Sequence, residues 1–280
     1  MGEGFCSMLR YQFMQNALLA SIMASLVCGV IGVIIVERKL VMMSGGIAHT
    51  AFGGVGLGYL CGFDPMLGAI GFSVLAALGI GFVRRRNGAK SDVIIALFWS
   101  LGMALGVLFV ALMPGYPPDL NSYLFGSILS VTRQDLWMMA SLSVAALLSI
   151  FVYYNGWKAY LFDPQYAQVI GRPTALLEYA LLVLVALCVV ILIRIVGIIL
   201  VIALFTAPAA CAAFFSRTLE KRIALAIGFS MLFSVGGLFI SYGLDCPSGT
   251  AIILVAVTSY GILWALKAIS ERQKLKHRVS

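Results

Sequence analysis

Nine stretches of the chain are apolar over most of their length and are bounded by charge, proline or glycine clusters. They lie at about 16–36, 46–62, 65–83, 92–113, 135–154, 176–193, 196–215, 222–243 and 249–267. One helical crossing of a bilayer core takes roughly 20 consecutive apolar residues, so each stretch predicts one crossing. Barrel strands alternate polar and apolar positions over short segments, and that alternation is missing from these runs. The pattern therefore predicts an all-α, polytopic transmembrane bundle formed as a single domain over 1–280, with nine crossings and eight as the alternative count.

Two stretches break the pattern. From Pro114 to Gln134 the chain opens with Pro114-Gly-Tyr-Pro-Pro118 and turns apolar again over Tyr123 to Val131. That is too short to span, and it predicts a re-entrant or surface-lying half-helix, lined by protein where it dips. From Asn155 to Thr174 the chain carries Phe162-Asp163-Pro164, then Gln165 to Ile170, then Gly171-Arg172-Pro173. An aspartate followed by proline at the first helical position predicts a short capped helix stopped at the glycine.

Composition sharpens the class: 62% of the 280 residues are apolar and 11% charged, and mean hydropathy is +1.04. A soluble globular domain has about twice that share of charge, so that class is excluded. The net charge of +8 does not point to nucleic acid here; it reports orientation. With the amino terminus outside, sixteen of the nineteen Lys and Arg residues fall at cytoplasmic positions, including Arg84-Arg85-Arg86 and the basic tail 268–280, leaving Arg10, Arg133 and Arg194 outside. The positive-inside rule prefers this topology. It places Asp64, Asp119, Asp135 and Asp245 at the outer mouth, where they favour a cation. The six cysteines have no ligand spacing, so neither a zinc knuckle nor a disulfide framework is predicted. The first apolar run has no small-residue cleavage site before Glu37-Arg38-Lys39 and reads as a retained helix.

Candidate chemistry is sparse. Gly54, Gly58 and Gly62 in the second crossing, and Gly102 and Gly106 in the fourth, repeat at four-residue spacing; this predicts close helix packing. His49, the one histidine outside the tail, shares a face with Gly53 and Gly56, and an imidazole facing a glycine-lined gap can meet a passing ion. Asp245 closes the eighth crossing within Ser241-Tyr-Gly-Leu-Asp-Cys-Pro-Ser-Gly249, as an oxygen donor for a divalent cation or as a turn residue bonded to nearby amides. Arg194, after an 18-residue apolar run, reads as an interface residue that snorkels. Asn87-Gly88-Ala89-Lys90-Ser91 lacks the glycine spacing and order of a phosphate-binding loop, so any ATP-driven work falls to another subunit.

Six segments, in order, resemble the metal-ion ABC transporter permeases, the membrane subunits of prokaryotic zinc, manganese and iron importers. They are Glu37 to His49, Gly53 to Gly62, Tyr123 to Leu129, Phe162 to Ala167 with Gly171, Val196 to Leu204 with Pro208-Ala-Ala210, and Ser241 to Gly249. The resemblance implies a homodimeric permease in the plasma membrane, with two cytoplasmic ATP-binding subunits and a separate extracytoplasmic metal-binding protein. It implies no permanently bound cofactor, only the transported divalent metal ion. It also implies that 155–175 is the coupling loop, with Phe162, Asp163, Tyr166, Ala167 and Gly171 facing the ATPase, and that His49 and Asp245 meet the metal in transit. One departure stands out: family members often carry Gly-Asp-Ala where this chain has Ser44-Gly45-Gly46, so an aspartate one turn before His49 is missing. The alternatives are an ABC permease for a metal chelate, an ATP-independent cation carrier or channel, and a scaffold protein.

Overall fold

The computed structural model describes residues 11–87, 91–115, 126, 128, 131–216 and 218–279. They form eleven helices: α1 (Gln12–Glu37), α2 (Val41–Cys61), α3 (Pro65–Asn87), α4 (Ser91–Ala111), α5 (Arg133–Val152), α6 (Tyr154–Phe162), α7 (Pro164–Val169), α8 (Thr174–Val196), α9 (Ile198–Phe215), α10 (Leu219–Leu244) and α11 (Ser248–Val279). No strand occurs among the described residues. Eight of these helices are long and apolar enough to cross a membrane. The ninth predicted crossing is α2, whose 21 residues reach about 31 Å at the α-helical rise. Its apolar character is diluted by Ser44, His49, Thr50 and a run of glycines. The dilution is tolerated because α2 packs chiefly against α4 and α3, with α8 and α9 also on it.

Side-chain contacts show which helix ends share a face of the bundle. Glu37 at the end of α1 pairs with Arg222 in the first turn of α10. Arg84 and Arg85 at the end of α3 each lie 3.8 Å from Glu178 near the start of α8. Lys158 of α6 lies 3.2 Å from Glu220 of α10. These ends, with α6 and α7, make one face. On the opposite face, Arg194 near the end of α8 meets Asp135 in the first turn of α5 at 2.8 Å, and Asn16 donates to the Val131 carbonyl at 3.1 Å. Alternation along the chain and these contacts fit nine long helices that reverse direction one after the next, eight of them with the length and hydropathy of a membrane span.

Close packing rests on small residues. A Cβ on Gly54 would lie 2.0 Å from the Gly68 carbonyl oxygen, one on Gly58 2.6 Å from Pro65 Cα, one on Gly102 2.4 Å from Thr50 Cα and one on Gly106 2.8 Å from the Phe52 carbonyl oxygen. These four glycines therefore do admit neighbouring backbone. Gly62 does not: a Cβ there meets nothing within 4 Å, and the residue caps α2 at φ 72°, so its helical-packing role is corrected to a left-handed helix stop. The glycine-lined gap beside His49 is also filled, since Gly53 sits on the Gly102 carbonyl and Gly56 on that of Gly106. On α1, Gly32 meets the Phe205 carbonyl of α9, Gly29 meets the Ile227 backbone of α10, and the Ser25 and Ser234 hydroxyls lie 3.4 Å apart.

Two further expectations change, and a third falls largely outside the described residues. Most of the 114–134 stretch lies outside the described residues, so its re-entrant form is not addressed, although Ile128 is buried and α5 already begins at Arg133. The loop before Asp163 is helical, because α6 occupies Tyr154–Phe162. Arg194 does not simply snorkel: it neutralises Asp135, which is buried, and that carboxylate also closes a capping box with Thr132.

Candidate functional site

His49 lies in the middle of α2, half-buried against α4. Its ring stacks on that of Trp99, with centroids 4.0 Å apart and planes at 11°, and its Nδ1 lies 3.4 Å from Met103 Sδ. Trp99 and Met103 are four residues apart on one face of α4, so both reach the same imidazole. The approach is permitted by the glycine contacts below: Thr50 and Gly53 seat on Gly102, and Gly56 on Gly106. Thr50 bonds to the carbonyls of Gly46 and Phe98, at 2.7 and 3.1 Å, and so has its hydroxyl committed within the interface. Sequence reading did not single out Trp99 or Met103; the signal was their four-residue spacing in register with Gly102 and Gly106.

Asp245 is elsewhere. It caps α10 in the left-handed region, at φ 51° and ψ 43°, beyond which Cys246 N–H donates to the Ser241 carbonyl at 3.1 Å. Its exposed carboxylate has no hydrogen bond or ion pair among the described residues. The other acids on that face are engaged. Asp64 accepts from Met66 N–H at 2.9 Å, Asp135 pairs with Arg194, and Asp119 lies outside the described residues. The expected excess of free acid at this mouth is thus reduced, among the described residues, to Asp245. No group of three His, Cys, Asp or Glu side chains able to hold a metal occurs among the described residues.

The opposite face carries a built protrusion. Asp163 caps α7, its Oδ1 accepting from Gln165 N–H at 2.9 Å and Tyr166 N–H at 3.0 Å, with Pro164 at the first helical position. The helix ends at Val169 with Ile170 as its cap, and the chain turns away at Gly171, where φ is +75° and Arg172 N–H donates back to the Ala167 carbonyl at 2.9 Å. Ala167 is buried, whereas Tyr166, Val169 and Ile170 are exposed, Val169 at 84%. A short helix pinned by one alanine and presenting three apolar side chains to solvent is unsatisfied in the lone chain. Beside it, Arg38 lies over the buried Tyr160 ring at 4.3 Å, and Tyr154 donates to Glu220. That hydrogen bond pushes the Tyr154 phenol up in pKa, and the Glu220 carboxylate also pushes up the Lys158 ammonium.

The profile of the ABC 3 transport family matches residues 10–267. The chain belongs to the ABC 3 transport family. Among curated proteins it is 44% identical to an uncharacterized membrane protein of Synechocystis, the alignment covering 95% of this chain and 94% of the relative. It is 34% identical to the manganese transport system membrane protein MntC of Halalkalibacterium halodurans, over 92% and 88% of the two chains. Among solved structures it superposes on PsaBC from Streptococcus pneumoniae, solved in complex with a Fab, with a TM-score of 0.84 and 33% identity over 94% of this chain and 95% of that one. The matched range includes every helix that builds the α2–α4 interface and the α7 protrusion.

Proposed function

We propose that this chain is the permease subunit of an ATP-driven importer of divalent transition metal ions, working as a homodimer in a prokaryotic plasma membrane. The observation that carries the reading is the capped, exposed helix α7 on the basic face of a chain whose family match spans 10–267. In this reading α7 docks on a cytoplasmic ATP-binding subunit through the exposed Tyr166, with Phe162, Asp163 and Gly171 flanking it, while the buried Ala167 pins the helix from beneath instead of facing the partner, and the amino terminus is outside. ATP binding and hydrolysis in that partner rock the bundle between outward-open and inward-open states. Similarity to the manganese transport protein of Halalkalibacterium supports a transition-metal cargo, delivered by an extracytoplasmic binding protein.

Within the permease, Asp245 offers a free carboxylate at the outer mouth, and His49 offers an imidazole at membrane depth. A half-exposed imidazole facing lipid is costly, which supports a second copy, or a water-filled path between copies, over this face of α2 and α4. A single neutral ligand holds an ion weakly enough to release it. The test is ATP-driven uptake in proteoliposomes containing the chain with or without its ATP-binding subunit. Metal uptake that requires the ATPase, and that is lost together with ATPase association in Tyr166→Asp, is the expected result. Metal flux without the ATPase would overturn the reading in favour of a carrier or channel.

A further inference from the structure

The α2–α4 interface holds a donor set that neither the family match nor the relatives' names describe. Resting on the reading of His49 as the cargo contact, we propose that Met103 supplies a second, sulfur donor, so that the membrane-depth subsite favours Zn²⁺ over Mn²⁺. The two donor atoms, Nδ1 and Sδ, are 3.4 Å apart. For a metal–nitrogen bond of about 2.1 Å and a metal–sulfur bond of about 2.3 Å, the thiolate length and so a lower bound for a thioether, that separation subtends at most roughly 100° at the metal, within reach of a tetrahedral site. Trp99, stacked 4.0 Å away, limits rotation of the imidazole and keeps the pair aligned.

Among the described residues, the hydroxyl next to His49 in the chain is not free to compete. The Thr50 hydroxyl is committed to the Gly46 and Phe98 carbonyls. His49 belongs to no group of three His, Cys, Asp or Glu side chains among the described residues. Gly45, one helical turn before His49, leaves space where a carboxylate could stand: a Cβ there meets Trp99 Cζ3 at 3.6 Å and Ile202 Cδ1 at 3.7 Å. Those are ordinary contacts, and Trp99 borders both positions. Oxygen ligands suit Mn²⁺, whereas imidazole and sulfur suit Zn²⁺, which also stands above Mn²⁺ in the general order of divalent affinities. A neutral nitrogen–sulfur pair with an empty oxygen position therefore discriminates against the harder ion. Both ligands are uncharged, which keeps the hold weak enough for release.

The experiment uses the full chain assembled with its ATPase in proteoliposomes given equimolar ⁶⁵Zn²⁺ and ⁵⁴Mn²⁺, with zinc X-ray absorption recorded on the same complexes. Met103→Leu conserves volume and removes the sulfur; it is expected to lower the Zn/Mn uptake ratio about tenfold, equivalent to one decade of relative affinity. It should also remove a sulfur shell from the zinc spectrum. Gly45→Asp should lower the ratio as well, by raising Mn²⁺ uptake. An unchanged ratio and an unchanged spectrum in Met103→Leu, with uptake abolished in His49→Ala, would overturn the Met103 assignment and leave His49 in the path. Unchanged uptake in His49→Ala would sink both.

Discussion

At the residue scale the decisive quantity is the distance to the nearest immovable atom. Gly54 and Gly68 face each other across α2 and α3, and a Cβ on Gly54 would lie 2.0 Å from the Gly68 oxygen and 2.3 Å from its carbonyl carbon. Backbone cannot move aside as a side chain can, so Gly54→Ala must push the helices apart; overpacking of this kind costs about 1–3 kcal/mol. Gly71, in the same α3, has nothing within 4 Å of its would-be Cβ, and alanine there gains roughly 0.5–1 kcal/mol from helical propensity. Thermal unfolding of the purified chain is therefore expected to show a lower midpoint for Gly54→Ala and an equal or higher one for Gly71→Ala. A Gly54→Ala midpoint equal to that of the parent would show that the α2–α3 contact is looser than the structure has it. The four-residue glycine spacing was legible as packing, but it could not separate Gly58, pressed on Pro65, from Gly62, which only stops the helix. Spacing records which face a residue is on and says nothing about where the helix ends.

At the element scale α7 is the test of how a six-residue helix persists. Isolated helices of that length do not form in water, so its order comes from the Asp163 cap, the Pro164 start and the buried Ala167. The cap and the proline start were readable from residue types, because capping chemistry is local; the burial of Ala167, which the resemblance had facing the ATPase, was not. The preceding α6 was missed because Tyr154–Phe162 mixes Asn, Gly, Trp and Lys without a clear apolar period; it is held by tertiary contacts such as Trp157 Nε1 donating to the Ser149 carbonyl at 3.1 Å. Removing the cap with Asp163→Ala should cost about 1 kcal/mol, and amide exchange at Gln165 and Tyr166 should accelerate about fivefold, the factor that energy implies. Asparagine is an equally good cap, so Asp163→Asn should restore protection. If Asp163→Asn exchanges as fast as the alanine variant, the charge rather than the cap holds α7.

At the scale of the whole molecule, nine passes and the side-chain contacts between helix ends leave one binary choice, which face meets the cytoplasm. The face that carries α7 also carries Arg38, Arg84, Arg85 and Lys158, and the opposite face has Arg194, already paired with Asp135. Nothing in the packing depends on the choice, since the helices would bury the same surfaces either way up; the asymmetry is a matter of how Lys and Arg resist translocation during insertion. That is why the sequence alone can prefer one orientation, whereas the His49–Trp99–Met103 cluster, which depends on how α2 and α4 rotate against each other, was not legible in it. Two positions decide between the orientations. Cys61, exposed at the far end of α2, lies on the face opposite Gln165, which is exposed on α7. In intact cells a membrane-impermeant maleimide should label a variant retaining only Cys61, the other five cysteines being replaced by alanine. The same background with Cys61→Ala and Gln165→Cys should label only after permeabilisation. The reverse pattern would turn the bundle over, put α7 outside the cell and remove it from any cytoplasmic ATPase. Labelling of both positions in intact cells would mean that α2 and α7 end on one side, and would cost the fold one of its nine passes.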